Sequence, residues 1–190
     1  MHNRSGRIDL DLLSEIPQLL TSESCVVTIG TFDGFHQGHR AVVAATRATA
    51  DSLDCRAVAV TFHPRPETVL RPHAALPDVV SVEDRVDCLL AAGMDSVVVL
   101  RFSRELAQLS ADQFIGRLRA LLSIETLCVG ADFAFGRNKA VSVPAIAAMG
   151  LPVQAVPLVP GMDEKTKASS TNIRQAIARG IDRRRAAALA

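Results

Sequence analysis

Two groups of residues in this 190-residue chain combine side-chain types and spacing that suit work on phosphate. The first is the run GTFDGFHQGH, in which His36 and His39 stand three apart among Gly30, Gly34 and Gly38. Glycines let a backbone turn tightly and let a ligand come close. An apolar β-branched run precedes the segment and a helical pattern follows it, so free amides at the coming helix start favour an anion. Two imidazoles and helix-end amides are donors of the kind that transfer at phosphorus requires, because such transfer depends on stabilising negative charge on non-bridging oxygens. The second group is KTKASSTNIR, where Ser170 and Thr171 can cap a helix, Arg174 lies one turn inside it, and Lys165 and Lys167 lie just before it. Guanidinium and ammonium donors in that setting suit a polyphosphate tail.

Two further segments carry unusual composition. TFHPRP places Pro64 and Pro66 around Arg65, which stiffens a loop after a strand. GADFAFGR brackets Phe133 and Phe135 with glycines beside Asp132 and before Arg137, the composition of a flat pocket for a planar ring. Zinc is disfavoured at the histidines: His63 and Cys25 complete no known ligand spacing, and no metal-ligating residues are assigned. The first run also differs from both GxGxxG and GxxxxGK[ST], which argues against a dehydrogenase or a P-loop enzyme.

These segments need a scaffold. Apolar β-branched runs at 25–29, 56–62, 96–100, 125–129 and 153–159 read as strands. Helical patterns fill 39–53, 81–92, 110–122, 142–149 and 171–179, with Ser81 as an N-cap and Ser110 and Gln113 as a capping box. Strands apolar on both faces and separated by helices predict an α/β domain with a doubly wound parallel sheet. Ligands in such domains bind beyond the carboxyl ends of the strands. The turns at 30–38, 63–66 and 130–141 all follow strands and therefore fall at that edge.

Composition narrows the class. A hydrophobic fraction of 48%, a charged fraction of 22% and a net charge of +1 describe an ordinary globular protein with no field to draw it to nucleic acid or an anionic membrane. No apolar run approaches the roughly 20 residues of a membrane span, and the polar N-terminus does not resemble a signal peptide. The expectation is a cytoplasmic protein. Cys25, Cys55, Cys88 and Cys128 each lie in apolar runs without CxxC pairing and read as small hydrophobes.

Taken together and in order, VTIGTFDGFHQGHR, TFHPRP, VGADFAFG and ASSTNIRQAIARG resemble four motifs of the bacterial FAD synthetase module, the N-terminal half of bifunctional riboflavin kinase/FAD synthetase, over nearly the whole chain. The resemblance implies a Rossmann-like HxGH nucleotidyltransferase fold over residues 24–185, with 1–23 an N-terminal extension, 186–190 a tail and the riboflavin kinase domain absent. It implies AMP transfer from ATP to FMN, giving FAD and pyrophosphate, with Mg²⁺ accompanying ATP; either a separate riboflavin kinase supplies FMN to a stand-alone enzyme, or the chain is part of a longer protein. ATP is expected over Gly30, Thr31, Phe32, Asp33, Gly34, His36, Gly38 and His39, with Ser170, Thr171 and Arg174 on its β- and γ-phosphates. His36, His39, Ser170, Thr171 and Arg174 are the expected catalytic set. Pro64, Arg65, Pro66, Asp132, Phe133, Phe135 and Arg137 are expected to border the flavin. The chain departs from the family pattern at His63, Arg65, Val141 and Ala168. The alternatives are an HxGH enzyme with another phosphorylated acceptor, phosphopantetheine or a phospho-alcohol, and a non-catalytic nucleotide- or flavin-binding homologue.

Overall fold

The computed structural model describes residues 6–12, 23–135, 141–159, 173, 174 and 177. Its main sheet is built from runs of Val, Ile and Ala whose successive side chains point to opposite faces. The strands are β1 (Gly6–Leu10), β2 (Ser24–Ile29), β3 (Arg56–His63), β4 (Ser96–Arg101), β5 (Ser123–Gly130) and β8 (Val153–Val156). They lie in the order β1-β4-β3-β2-β5-β8, and every neighbouring pair is parallel. From central β2 the chain steps outward to β3 and β4, then returns across the sheet to β5 and β8. The reversal of direction therefore lies beside the carboxyl end of β2, where GTFDGFHQGH begins.

Both faces are covered, as the sequence predicts. Helices α1 (Gln37–Ser52) and α3 (Val82–Ala91) pack on Val26, Ala57, Ala59, Val97, Val99 and Cys128. Helices α4 (Arg104–Gln108), α5 (Ala111–Leu121) and α6 (Val143–Ala148) cover the opposite residues, among them Val27, Val58, Val60, Val98, Leu127 and Val129. Residues 26 and 27, or 57 and 58, thus serve different cores. Ser81 caps α3 through the Asp84 amide, and Ser110 with Gln113 forms the predicted capping box of α5. All four cysteines are free; burial pushes the Cys25 thiol up to about 12, as for an inert buried hydrophobe.

The structure differs from the sequence reading at several elements, the short helix α4 among them. Strand β1 falls within the segment expected as an extension and adds a sixth strand beside β4. The strand expected over 153–159 ends at Val156, because Pro157 has no amide to donate to a ladder. The loop around the paired prolines becomes helix α2 (Pro66–Leu70), with Pro66 in its first turn, where the missing amide costs nothing. The third motif forms a small hairpin, β6 (Ala134–Phe135) antiparallel to β7 (Val141–Ser142). Of the helix expected over 171–179, residues 173, 174 and 177 are described and helical. No helix among the described residues is long and apolar enough to cross a membrane.

Leu118 is fully buried between α5 and the sheet. Leu118→Ala should lower unfolding free energy by about 2–5 kcal/mol, read by urea denaturation.

Candidate functional site

The turn after β2 is held open by its own side chains. Phe32 and Phe35 take positive φ values of 47° and 39°, unusual for bulky residues and sustained only where surroundings over-determine them. The Phe32 ring tucks beneath Gly30, where a Cβ would stand 3.0 Å from its Cζ. Gly34 has φ +83°, and a Cβ there would stand 3.0 Å from the Ile173 Cδ1. At Gly30 and Gly34, both expected to admit a ligand, the close neighbours are therefore the protein's own Phe32 and Ile173. Gly34 lets the C-terminal helical residues sit directly on the turn.

Helix α1 starts two residues earlier than its pattern suggests because His36 is its N-cap. The His36 Nδ1 accepts from the His39 amide at 3.4 Å. An accepting Nδ1 carries no proton, so neutral His36 carries it on Nε2. The two imidazoles stack at 3.7 Å between centroids and 21° between planes, and Phe32 meets His39 edge-on at 5.3 Å. The His39 Nδ1 is buried with no hydrogen-bond partner among the described residues. Desolvation first, then the charges of His36, Arg85 and Arg174, hold the His39 imidazole well below its ordinary value, so it is neutral at physiological pH. His39 keeps only a minority of its surface in contact with solvent, and its dense enclosure governs its titration.

Beneath the imidazoles lies a buried ion-pair network. The Asp33 side chain is 0% exposed. One of its oxygens accepts from the Val79 and Val80 amides at 2.9 and 3.2 Å, and the other from the Arg174 Nη2 at 2.6 Å. Arg65 stands 3.5 Å from the same carboxylate and is itself buried, donating to Asp78 and to the Leu76 carbonyl and lying 3.2 Å from Glu67. Arg174 also reaches Glu67 at 3.7 Å. Asp33 has bonds to both oxygens, which a carboxylate this buried requires, whereas the Arg174 Nε has no hydrogen-bond partner among the described residues.

The first motif, the paired-proline segment and Arg174 of the last motif therefore meet at one rim, although 141 residues separate Asp33 from Arg174. Asp33 and Arg65, expected on ATP and flavin respectively, lie under the rim and face each other. Gly30, Thr31, Gly38, Pro64 and Pro66 are half-buried around it. Asp132 and Phe133 follow β5 at the same sheet edge, Asp132 exposed and Phe133 packed partly against the α5-side core. Ser170, Thr171 and Arg137 lie outside the described residues, as does the side chain of Phe135. Arg85 of α3 is a residue that sequence reading missed; it is fully buried in the network, 3.7 Å from Asp78.

A family model described as FAD synthetase matches residues 19–172. The chain belongs to the FAD synthetase family. Over 166 residues it is 36% identical to a putative bifunctional riboflavin kinase/FMN adenylyltransferase of Geobacillus thermodenitrificans, covering 87% of this chain and 89% of that protein. It is 34% identical over 128 residues to the bifunctional riboflavin kinase/FMN adenylyltransferase of Escherichia coli, covering 67% of this chain but only 40% of that protein. A crystal structure described as a macrolide-efflux protein from Streptococcus pneumoniae superposes with a TM-score of 0.78 at 29% identity, over 90% of this chain and 55% of that one. Pantothenate synthetase from Thermus thermophilus, at a TM-score of 0.51 and 17% identity over 94% of this chain and 80% of that one, shares the fold of this FAD synthetase family member.

Asp33→Ala should cost about 3–5 kcal/mol, because it strands the buried Arg174 charge. Urea denaturation at neutral pH checks it.

Proposed function

We propose that this FAD synthetase family member transfers the adenylyl group of ATP to FMN, giving FAD and pyrophosphate. The observation that carries the reading is the convergence of the stacked His36–His39 pair and the Asp33-held Arg174 at the carboxyl edge of β2, in a chain of this family. An FMN phosphate oxygen attacks the α-phosphorus in line, the bond to the bridging oxygen breaks, and pyrophosphate leaves. No nucleophilic side chain is needed; the protein supplies position and charge stabilisation.

Neutral His36 offers its Nε2–H to the phosphates, oriented because Nδ1 is committed to the start of α1. His39, kept neutral, donates without bringing a positive charge against the stacked His36. Arg174, held by Asp33, turns its remaining guanidinium donors toward the departing pyrophosphate, and Ser170 and Thr171 add hydroxyl donors. Mg²⁺ carried on the ATP phosphates would neutralise the leaving group; among the described residues no three His, Cys, Asp or Glu side chains converge to cage a cation.

FMN lies along the ends of β3 and β5, bordered by Pro64, Pro66, Asp132, Phe133, Phe135 and Arg137, with Arg65 supporting that wall from below. The adenylyltransferase domain comprises residues 24–185, with β1 of the preceding segment added at the sheet edge. The protein works in the cytoplasm, and FMN comes from a riboflavin kinase, an activity named in its curated relatives.

Incubation with Mg-ATP and FMN should yield FAD by HPLC together with pyrophosphate. Turnover of another phosphorylated acceptor without FAD would reject FMN, and ATP binding without pyrophosphate release would reject catalysis. His36→Ala and His39→Ala, with folding verified by circular dichroism, should each lower kcat at least about tenfold; near wild-type rates in both would remove the imidazoles from the mechanism.

A further inference from the structure

Arg85 is fully buried on α3, yet its guanidinium is only partly satisfied. Nη1 donates to the Phe62 carbonyl at 3.0 Å and to the Thr61 Oγ1 at 3.4 Å, whereas Nε and Nη2 make no hydrogen bond among the described residues. Nη2 lies 3.7 Å from Asp78, an ion pair beyond hydrogen-bond distance. If stability were the only requirement, an apolar side chain of similar volume would serve as well or better. A buried cation with unmet donors therefore asks for a functional reason.

Its connections supply one. Thr61, which accepts from Arg85, donates to the Thr31 carbonyl at 3.2 Å, inside the turn that carries the imidazoles. On the other side Asp78 joins Arg85 to Arg65, Arg65 lies against Asp33, and Asp33 holds Arg174. Arg85 thus stands at the root of both arms of the phosphate grip. We infer that Arg85 is a positioning residue for ATP: through Thr61 it sets the imidazole turn, and through Asp78, Arg65 and Asp33 it sets Arg174, its charge facing the triphosphate site from below.

The inference rests on the adenylyl-transfer reading for its substrate and on the contacts above for its residue. The charged and titratable groups that face His39 are His36 from the turn, Arg85 from α3 and Arg174 from the C-terminal helix. Arg85 in turn feels Asp33, Asp78, Arg65 and Arg174. Removing the Arg85 charge therefore relieves His39 and lets it protonate at higher pH.

The test uses the full chain with Arg85→Met, Arg85→Lys and Thr61→Val. Folded Arg85→Met should lose at least about tenfold in kcat/KM for ATP while KM for FMN stays within about twofold, with partial recovery in Arg85→Lys. In histidine NMR titrations the His39 signal should move to higher pH in Arg85→Met and return toward wild type in Arg85→Lys. A folded Arg85→Met with ATP kinetics within about twofold of wild type, equal losses for both substrates, or an unmoved His39 titration would each overturn the inference. Should Arg85→Met fail to fold, Thr61→Val decides: a loss of about threefold or more confined to ATP supports the relay, and unchanged ATP kinetics overturn it. Wild type that makes no FAD would defeat the adenylyl-transfer reading alone, because calorimetric binding of Mg-ATP and the His39 titration are read without turnover.

Discussion

A carboxylate with no access to water organises this protein. Asp33 takes two amides from the loop ahead of α3, one guanidinium from the C-terminal helix and the nearby charge of Arg65. Stripping an aspartate of water costs several kcal/mol, and the cost is offset only when charge and hydrogen bonds surround it in good geometry. The same requirement makes Asp33 a strong organiser, because each partner comes from a different segment. Satisfying one ion fixes the relative positions of the imidazole turn, the paired-proline segment and Arg174.

Charge balance around that ion has a direction. Arg65, Arg85 and Arg174 are all buried, while Asp33 is fully and Asp78 only partly enclosed. The third nearby carboxylate, Glu67, is exposed. The interior below the rim is therefore richer in cations than in buried anions, a region already arranged for negative charge. Such prearrangement is where polar catalysis gains most, since the dipoles and ions need not reorganise during the reaction. The strained φ values of Phe32 and Phe35 serve the same positioning, a local cost sustained by packing around it.

Much of this was visible in the chain itself. Strands β2, β3 and β4 were legible because each buries two faces and so reads as an apolar run, and β5 because its second half does the same. Strand β1 was not, because half of it, Arg7 and Asp9, faces water and pairs with itself and with Glu83. Capping boxes are local and were read directly at Ser110. His36 as an N-cap was missed because imidazole is an uncommon cap, which is also why α1 begins two residues before its expected start. The convergence of His36, His39 and Arg174 at one rim agrees with their residue types, whereas the internal duty of Asp33 and Arg65 could not be read from theirs. Spacing cannot tell a carboxylate that meets a ligand from one that meets an arginine 141 residues away. Arg85 was illegible for the same reason: inside an amphipathic helix, one arginine looks like any solvated position until neighbours enclose it.

The docking of Ile173 on Gly34 and of Arg174 on Asp33 also dictates when the site can exist. The central sheet can pair as its strands emerge in turn during synthesis, but the grip closes across nearly the full sequence separation and must wait for the last helix. A nascent chain thus acquires its scaffold before this ion pair. Until the ribosome has released residue 174, Asp33 has no guanidinium to receive from that helix, and the turn after β2 lacks its distant anchor.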